Sequence, residues 1–319
     1  MRAVILEALH QICGDTTLNR PIVLHEPDFR GTQARVCVRD CLDSGWVSTA
    51  GQWVSRFEHE LCARTGATHA VAVTNGTAAL RLALQLLGVK AGDEVLLPPL
   101  SFVATANAVA HLGATPHFVD VAERSLGMGP AALATHLEAV AERRDGELFN
   151  RSTGRCLAAV LPVHVFGHPA PMAELLAVAE AWGLPLVEDA AEALGSWRDG
   201  IHCGLFGAVG TLSFNGNKMI TTGGGGALSL TVLNWPSAPA ISQPLPNSPT
   251  PGRSSTMWRV GTIAFPTSTP LLGWPSWRTC HVASSLSASW LSAIARLLLA
   301  WRGWNLWPNP HAVAAITCS

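Results

Sequence analysis

Between residues 66 and 230 short apolar runs alternate with longer stretches of helical period, the rhythm of a parallel sheet covered by helices. The pattern predicts strands over Ala70–Thr74, Val95–Leu97, His117–Val119, Leu157–Val163 and Leu184–Glu188. Helices are expected over Thr77–Leu87, which is apolar on nearly all sides, and over Phe102–Leu112, from Pro130 onward, and over Pro171–Trp182. Two further strands, Leu212–Phe214 and Ala227–Leu230, flank a run of four glycines, Gly223 to Gly226. The fold class is therefore α/β. In open sheets of this kind ligands bind beyond the carboxyl ends of the strands, and candidate chemistry is sought there.

Composition divides the chain. At 319 residues it can bury a large core, and length alone suggests two domains. All 22 acidic residues lie in the first 230 positions; residues 231–319 contain no Asp, Glu or Lys but hold eight of the 12 Trp and 11 of the 21 Pro. A soluble domain carries about 25% charged residues of both signs, so this stretch, with Arg as its only charged side chain, is anomalous. Residues 1–230 are read as one domain. Residues 231–319 are read as a Trp/Pro/Ser-rich tail that is disordered or translated out of frame, with an unusual but selected extension as the alternative. Ser287 to Trp304 has the pattern of an amphipathic helix or an aggregation-prone surface.

Several function classes are disfavoured. A net charge of -1 points to neither nucleic acid nor an anionic membrane as partner. No uncharged apolar run reaches the roughly 18 residues of a membrane span, and the opening segment, interrupted at Glu7, does not read as a signal peptide. The eight cysteines are scattered without a CxxC pair, so neither a metal site nor a disulfide framework is expected. The expected location is cytoplasmic.

Three motifs fall at strand ends. Thr74-Asn75-Gly76-Thr77-Ala78-Ala79 joins a strand to a helix. Its glycine admits close backbone approach, the first helical amides point outward, and the Thr77 hydroxyl adds a donor: a phosphate cradle. The same residues also fit an Asn-Gly turn with Thr77 as helix cap. Val187-Glu188-Asp189-Ala190-Ala191-Glu192 delivers a carboxylate to the ligand edge, where among small apolar neighbours it needs a positive partner, such as a pyridinium nitrogen, a metal or an Arg. An Asp capping the next helix is the other reading. Ser213-Phe214-Asn215-Gly216-Asn217-Lys218 places a lone lysine after a strand, positioned for Schiff-base chemistry if burial favours its neutral amine, or else a surface loop lysine. The four glycines match neither GxGxxG nor the GK[ST] of a P-loop. Taken in order, the three motifs correspond to the three handles of pyridoxal phosphate.

Over roughly residues 22–230 these residues resemble the DegT/DnrJ/EryC1/StrS aminotransferases. The likeness rests on His25-Glu26-Pro27, Asp43-Ser44-Gly45-Trp46-Val47-Ser48, Asn75 to Leu80, Ser101-Phe102-Val103-Ala104-Thr105, Val163-His164-Val165-Phe166-Gly167, Glu188 to Gly195 and Ser213 to Lys218. Asn215-Gly216-Asn217-Lys218 followed by Ile-Thr-Thr and the glycines is most similar to the branch that makes bacillosamine and legionaminic acid precursors.

The resemblance implies a fold-type-I large domain, with a mostly parallel seven-stranded-type sheet between helices and a C-terminal small domain missing or non-native here. It implies Lys218 as the Schiff-base lysine and proton shuttle, Asp189 against the pyridine nitrogen, and Phe102 stacked on the ring. Gly76, Thr77 and Ser213 would hold the phosphate. Glu192 falls where many relatives place Gln or His near the ring hydroxyl. Trp46, Val47, Ser48 and Asn215 are substrate candidates. The implied activity moves an amino group from glutamate to a 4-keto-6-deoxy nucleotide sugar for polysaccharide or glycan precursors, in a homodimer. Because the tail has no recognisable counterpart in the family, an inactive homologue that keeps the cofactor fold is the alternative; a sugar dehydratase is disfavoured because it wants His at the lysine position.

Overall fold

The computed structural model describes residue 29 and residues 32–47 and 51–231. Ser48, His25-Glu26-Pro27 and the tail from residue 232 on, including Ser287–Trp304, lie outside the described residues.

In chain order the elements are α1 (Ala34–Ser44), α2 (Gln52–Thr65), β1 (His69–Val73), α3 (Gly76–Leu86), β2 (Glu94–Leu97), α4 (Val103–Ala110), β3 (Thr115–Phe118), α5 (Pro130–Val140), β4 (Ala141–Arg144), β5 (Glu147–Asn150), β6 (Leu157–Val160), a 3-10 turn (Val165–Gly167), α6 (Met172–Trp182), β7 (Val187–Asp189), β8 (Trp197–Arg198), β9 (Ile201–His202), β10 (Val209–Ser213) and β11 (Gly226–Leu230). The strands form two ladders, β1-β11-β10-β7 and β3-β2-β6. Parallel bridges Val160 to Leu186 and Val163 to Asp189 join them. The result is one seven-stranded sheet of order β3-β2-β6-β7-β10-β11-β1, parallel except for β11, which is antiparallel to both neighbours. Strand β11 runs backward because residues 214–225 return the chain directly, without the helical crossover a parallel neighbour requires.

The apolar runs are continuous because the parallel strands are buried on both faces. Within β2, Val95 and Leu97 pack with α3 and α4, through Leu80, Leu84, Ala108 and Val109. Leu96 points the other way, toward Leu133 and Leu137 of α5 and Leu175 of α6. A third cluster joins Phe57 and Leu61 of α2 to Leu212, Phe214 and Ala227. Edge strand β1 is partly covered from α2: the Glu58 carboxylate accepts from the Ala72 amide at 2.9 Å.

Several expectations shift. Strand β10 begins at Val209, three residues earlier than expected, since Gly207 and Gly210 there serve close packing: a Cβ on Gly210 would fall 1.9 Å from the Gly204 carbonyl oxygen. The apolar run from Leu157 is a strand only to Val160, and the run from Leu184 pairs continuously only over Val187–Asp189. The hairpins β4–β5 and β8–β9 and the helices α1 and α2 add to the predicted set.

At the amino end of β2, Glu94 is buried, and its carboxylate accepts from His117, Asn150 and Thr153 at 2.7, 2.8 and 2.7 Å. Burial opposes its charge, but those three donors hold the carboxyl below its usual range.

Candidate active site at the carboxyl edge

Register brings the three motifs to one edge. Val73 at the end of β1 and Ser213 at the end of β10 both pair with Gly226, where β11 begins. Asp189 at the end of β7 pairs with Thr211 of β10 and bridges to Val163.

The cradle forms where β1 turns into α3. Asn75 is extended, and its side-chain oxygen accepts from the Ala78 amide at 2.8 Å. Asn75 is therefore the helix cap, and the reading of Thr77 as cap is corrected; Thr77 is the second residue of α3, past the capping position. Among the described residues the amides of Gly76 and Thr77 find no acceptor, as expected for a helix start awaiting an anion. The cradle is also tight. A Cβ on Gly76 would sit 2.9 Å from the Ser213 Cβ and 3.2 Å from its hydroxyl oxygen, and one on Gly226 only 2.4 Å from the Asn75 carbonyl carbon. Gly76→Ala should therefore weaken pyridoxal 5′-phosphate binding by roughly 10- to 100-fold, the worth of one or two charge-assisted hydrogen bonds. Fluorescence titration of the cofactor checks this, and unchanged affinity would show that the phosphate binds elsewhere.

Asp189 ends β7 fully enclosed. Its Oδ2 accepts from the Thr105 hydroxyl at 2.7 Å, and its Oδ1 from the Ala191 amide at 3.1 Å. Burial pushes its carboxyl above the usual range, although the Thr105 and Ala191 donors and the Lys218 charge pull it down. The residues that follow form turns, not a helix, so the helix-cap reading of Asp189 is overturned. A buried carboxylate left short of positive charge is a receptor for a cation.

Beneath Asp189 lies a polar network. Glu188 is fully buried and accepts from the amides of Gly204, Phe206 and Gly207 at 2.8, 2.6 and 2.6 Å. His164 completes the set at 2.9 Å. The Ala170 amide donates to His164 Nδ1 at 3.0 Å, which assigns the ring proton to Nε2 and makes it the donor to Glu188.

Lys218 rides on the 214–225 connection, which is pinned at its neck. The Phe214 carbonyl accepts from the Thr222 amide at 2.9 Å and the Thr221 hydroxyl at 3.1 Å, while the Phe214 ring packs edge-on to Phe57 with centroids 5.1 Å apart. Lys218 Nζ donates to Glu192 Oε1 at 3.0 Å. The lysine side chain is only 13% exposed, which separates it from an ordinary surface-loop lysine. Glu192 thus stands as the counter-charge of the amine.

The other expected residues are placed as follows. Phe102 sits at the start of α4 and is 70% exposed, just before the turn that sends Thr105 to Asp189. Trp46 is 58% exposed. Val47 is half-buried against the cluster around Cys41, Val54 and Phe57. Asn215 is exposed, and its side-chain amide donates to Asn217 at 2.9 Å. Sequence reasoning assigned no role to Thr105, Glu188 or His164, although all three fall inside the motifs it singled out.

Comparison with known proteins agrees with this geometry. EpsN of Bacillus subtilis (strain 168) is 40% identical over 211 residues, covering 66% of this chain and 52% of EpsN. The GDP-perosamine synthase of Escherichia coli O157:H7 is 37% identical over 205 residues, 64% of this chain and 52% of the synthase. The crystal structure of DesI in the presence of its TDP-sugar product matches with a TM-score of 0.56 at 30% identity, covering 70% of this chain and 53% of DesI. The chain spans about half the length of these relatives. The model of the DegT/DnrJ/EryC1/StrS aminotransferase family, a pyridoxal-phosphate-dependent family, matches residues 31–231. The chain belongs to the DegT/DnrJ/EryC1/StrS aminotransferase family.

Proposed function

We propose that this chain binds pyridoxal 5′-phosphate at the carboxyl edge of its sheet and transfers an amino group from glutamate to a 4-keto-6-deoxy nucleotide sugar. The observation that carries this reading is the convergence of an anion cradle, a buried carboxylate short of positive charge and a mostly enclosed lysine on one sheet edge. The residues fit the group. The Gly76 and Thr77 amides, with the Thr77 and Ser213 hydroxyls, suit a phosphate; Asp189 suits a protonated ring nitrogen; the exposed face of Phe102 suits an aromatic ring.

When bound, the cofactor supplies an electron-accepting ring that stabilises negative charge on the carbon bearing the migrating nitrogen. Asp189 keeps the ring nitrogen protonated, and Thr105 and Ala191 hold the carboxylate in place for that task. Lys218 would hold the cofactor through its amine, and its Nζ would take and return the proton that moves during transfer. Glu192 keeps that amine oriented. Trp46 and Asn215, both exposed, remain candidates for substrate contact, as does Ser48.

The same reading includes a cytoplasmic homodimer; among the described residues no helix is long and apolar enough to cross a membrane. It also divides the chain into a cofactor-binding unit, residues 1–230, and an aberrant segment, 231–319. The composition of that segment favours a second reading, a homologue that keeps the cofactor but does not turn over. Incubation with glutamate and a panel of nucleotide-linked 4-keto-6-deoxy sugars separates the two. The leading reading expects 2-oxoglutarate and an aminated sugar nucleotide by mass spectrometry. Cofactor bound with neither product formed supports the second.

Asp189 also makes a stability prediction with a defined sign. Its folded pKa is raised, so between the unfolded and folded values the native state binds more protons than the unfolded one. Stability of the cofactor-free protein therefore falls as pH rises through that window. Asp189→Asn should raise the melting temperature of the cofactor-free protein at neutral pH and flatten its decline above pH 4, while weakening cofactor binding roughly 10- to 100-fold. A variant less stable than wild type without cofactor at neutral pH would contradict the account of that carboxylate.

A further inference from the structure

A second polar cluster lies away from the cofactor edge, at the far side of the sheet, and joins edge strand β3 to helix α5. His117 of β3 and His136 of α5 meet head-on: their Nε2 atoms are 2.5 Å apart, with ring centroids 4.8 Å apart and 75° between planes. Behind His117, the Glu94 carboxylate accepts from its Nδ1 at 2.7 Å and from Asn150 and Thr153 at 2.8 and 2.7 Å. The His117 side chain is 15% exposed and that of Glu94 only 3%, so protons from solvent reach the rings more readily than the carboxylate. Neither the cradle nor the lysine loop involves any of these residues.

We propose that the chain Glu94–His117–His136 is an acid-sensitive latch, which holds β3 to α5 with no added proton or with one and releases them on the second. The argument is a count of protons. Glu94 accepts from three donors and carries no proton of its own, so His117 must hold a proton on Nδ1. In the neutral pair His136 donates its Nε2–H to the Nε2 lone pair of His117. One added proton still leaves a single N–H between the rings, and the bond becomes charge-assisted and stronger. A second gives each ring both of its N–H groups. Donor then faces donor and cation faces cation, and the rings must part. Burial and the His117 charge lower the pKa of His136, the direction this count requires.

The surroundings also oppose the second charge. Arg155 donates to the Thr115 hydroxyl at 2.6 Å, two residues from His117 on the same face of β3. Arg151 donates to the carbonyls of Glu138 and Ala139 at 3.4 and 3.1 Å, in the last turn of α5 beside His136. Helix α4, packed on β3, carries no titratable side chain. Glu138 of α5 and Glu174 and Glu180 of α6 are exposed, and Glu142 of β4 is paired with Arg144. Among the described residues Glu94 is therefore the carboxylate that balances the pair, and it balances one charge. In the unfolded chain each free imidazole takes up a proton near about pH 6.5. Below that pH the unfolded state binds more protons than the latched one, so stability falls as pH falls, by up to about tenfold in the folding equilibrium per pH unit.

The test follows urea unfolding of the full chain by circular dichroism from about pH 7.5 to about pH 5, the range in which histidine titrates. His136→Gln is the decisive variant, because its amide can donate to neutral His117 or accept from the cation and never titrates itself. The proposal expects this variant to match wild type at the upper pH and to lose about tenfold less in the folding equilibrium by the lower one. Asp189 is present in both chains, so its opposite pH dependence cancels in the difference. His111→Gln, exposed at the end of α4, should follow the wild-type profile. Parallel profiles for wild type and His136→Gln overturn the proposal. Should that variant fail to fold, nitrogen-15 NMR of histidine-labelled wild type decides. The latch expects native β3 signals to disappear as the second ring becomes charged; two charged rings beside native β3 signals would overturn it.

Discussion

Lys218→Ala is expected to lose covalent retention of the cofactor and to lower transamination by at least about 10³-fold, while the fold and melting temperature stay close to wild type. The size follows from two roles lost together, the nucleophile that holds the cofactor and the acid–base group that moves the proton, the second alone worth about 10²–10⁴-fold. The fold should survive because Lys218 sits on a connection pinned at Phe214 by Thr221, Thr222 and Gly225, none of which uses the lysine side chain. Its side-chain partner among the described residues, Glu192, is itself 43% exposed and becomes solvated when the amine goes. Product assays by mass spectrometry, with the absorbance of bound cofactor as the second readout, check the expectation. A variant that retains the cofactor through dialysis and turns over within tenfold of wild type would falsify the assignment.

The largest stability effect is expected at the neighbouring carboxylate. Glu188→Ala removes the acceptor for three backbone amides and one imidazole N–H in a fully buried site. Removing one partner of a buried charged network costs about 3–5 kcal/mol, and at about 2–4 °C per kcal/mol for a domain of this size the melting temperature should fall by roughly 6–20 °C. Glutamine is no remedy, since its NH2 would face amides that are themselves donors. The exposed Glu142–Arg144 pair, 2.9 Å apart, is the contrast: Glu142→Ala should leave the melting temperature unchanged. Thermal denaturation followed by circular dichroism measures both. A Glu188 variant as stable as the Glu142 variant would show that residues 204–207 are held by something else.

The sheet was legible where burial on two faces writes itself into the chain. Val95–Leu97 and the run from Leu157 are uninterrupted because each strand touches helices on both sides. The cradle, Asp189 and Lys218 were legible because each is a special residue type at a strand end. Exposed hairpins were not: Glu142-Arg143-Arg144-Asp145-Gly146-Glu147 in β4–β5 offers no apolar alternation to detect. Strand β10 was half hidden because glycines chosen for contact with Gly204 and Leu186 read locally as loop. Long-range partnerships left no trace at all. Thr105 meets Asp189 across 84 positions, and His117 meets His136 from a strand and a helix with no spacing pattern between them. Nor can adjacency distinguish Glu188 from Asp189. Alternation along β7 sends one carboxylate into a nest of amides and the other toward the ligand edge, and only the register fixes which is which.

The chain contains just two lysines, and this allows a direct test. Lys90 is exposed on the connection between α3 and β2, at the opposite end of the sheet from Lys218. Purified protein incubated with stoichiometric pyridoxal 5′-phosphate, reduced with borohydride and digested, should carry the cofactor on the peptide containing Lys218 and leave Lys90 unmodified. A label on Lys90 alone, equal labelling of both, or no label would contradict the central claim that this edge of the sheet is built to hold the cofactor through Lys218.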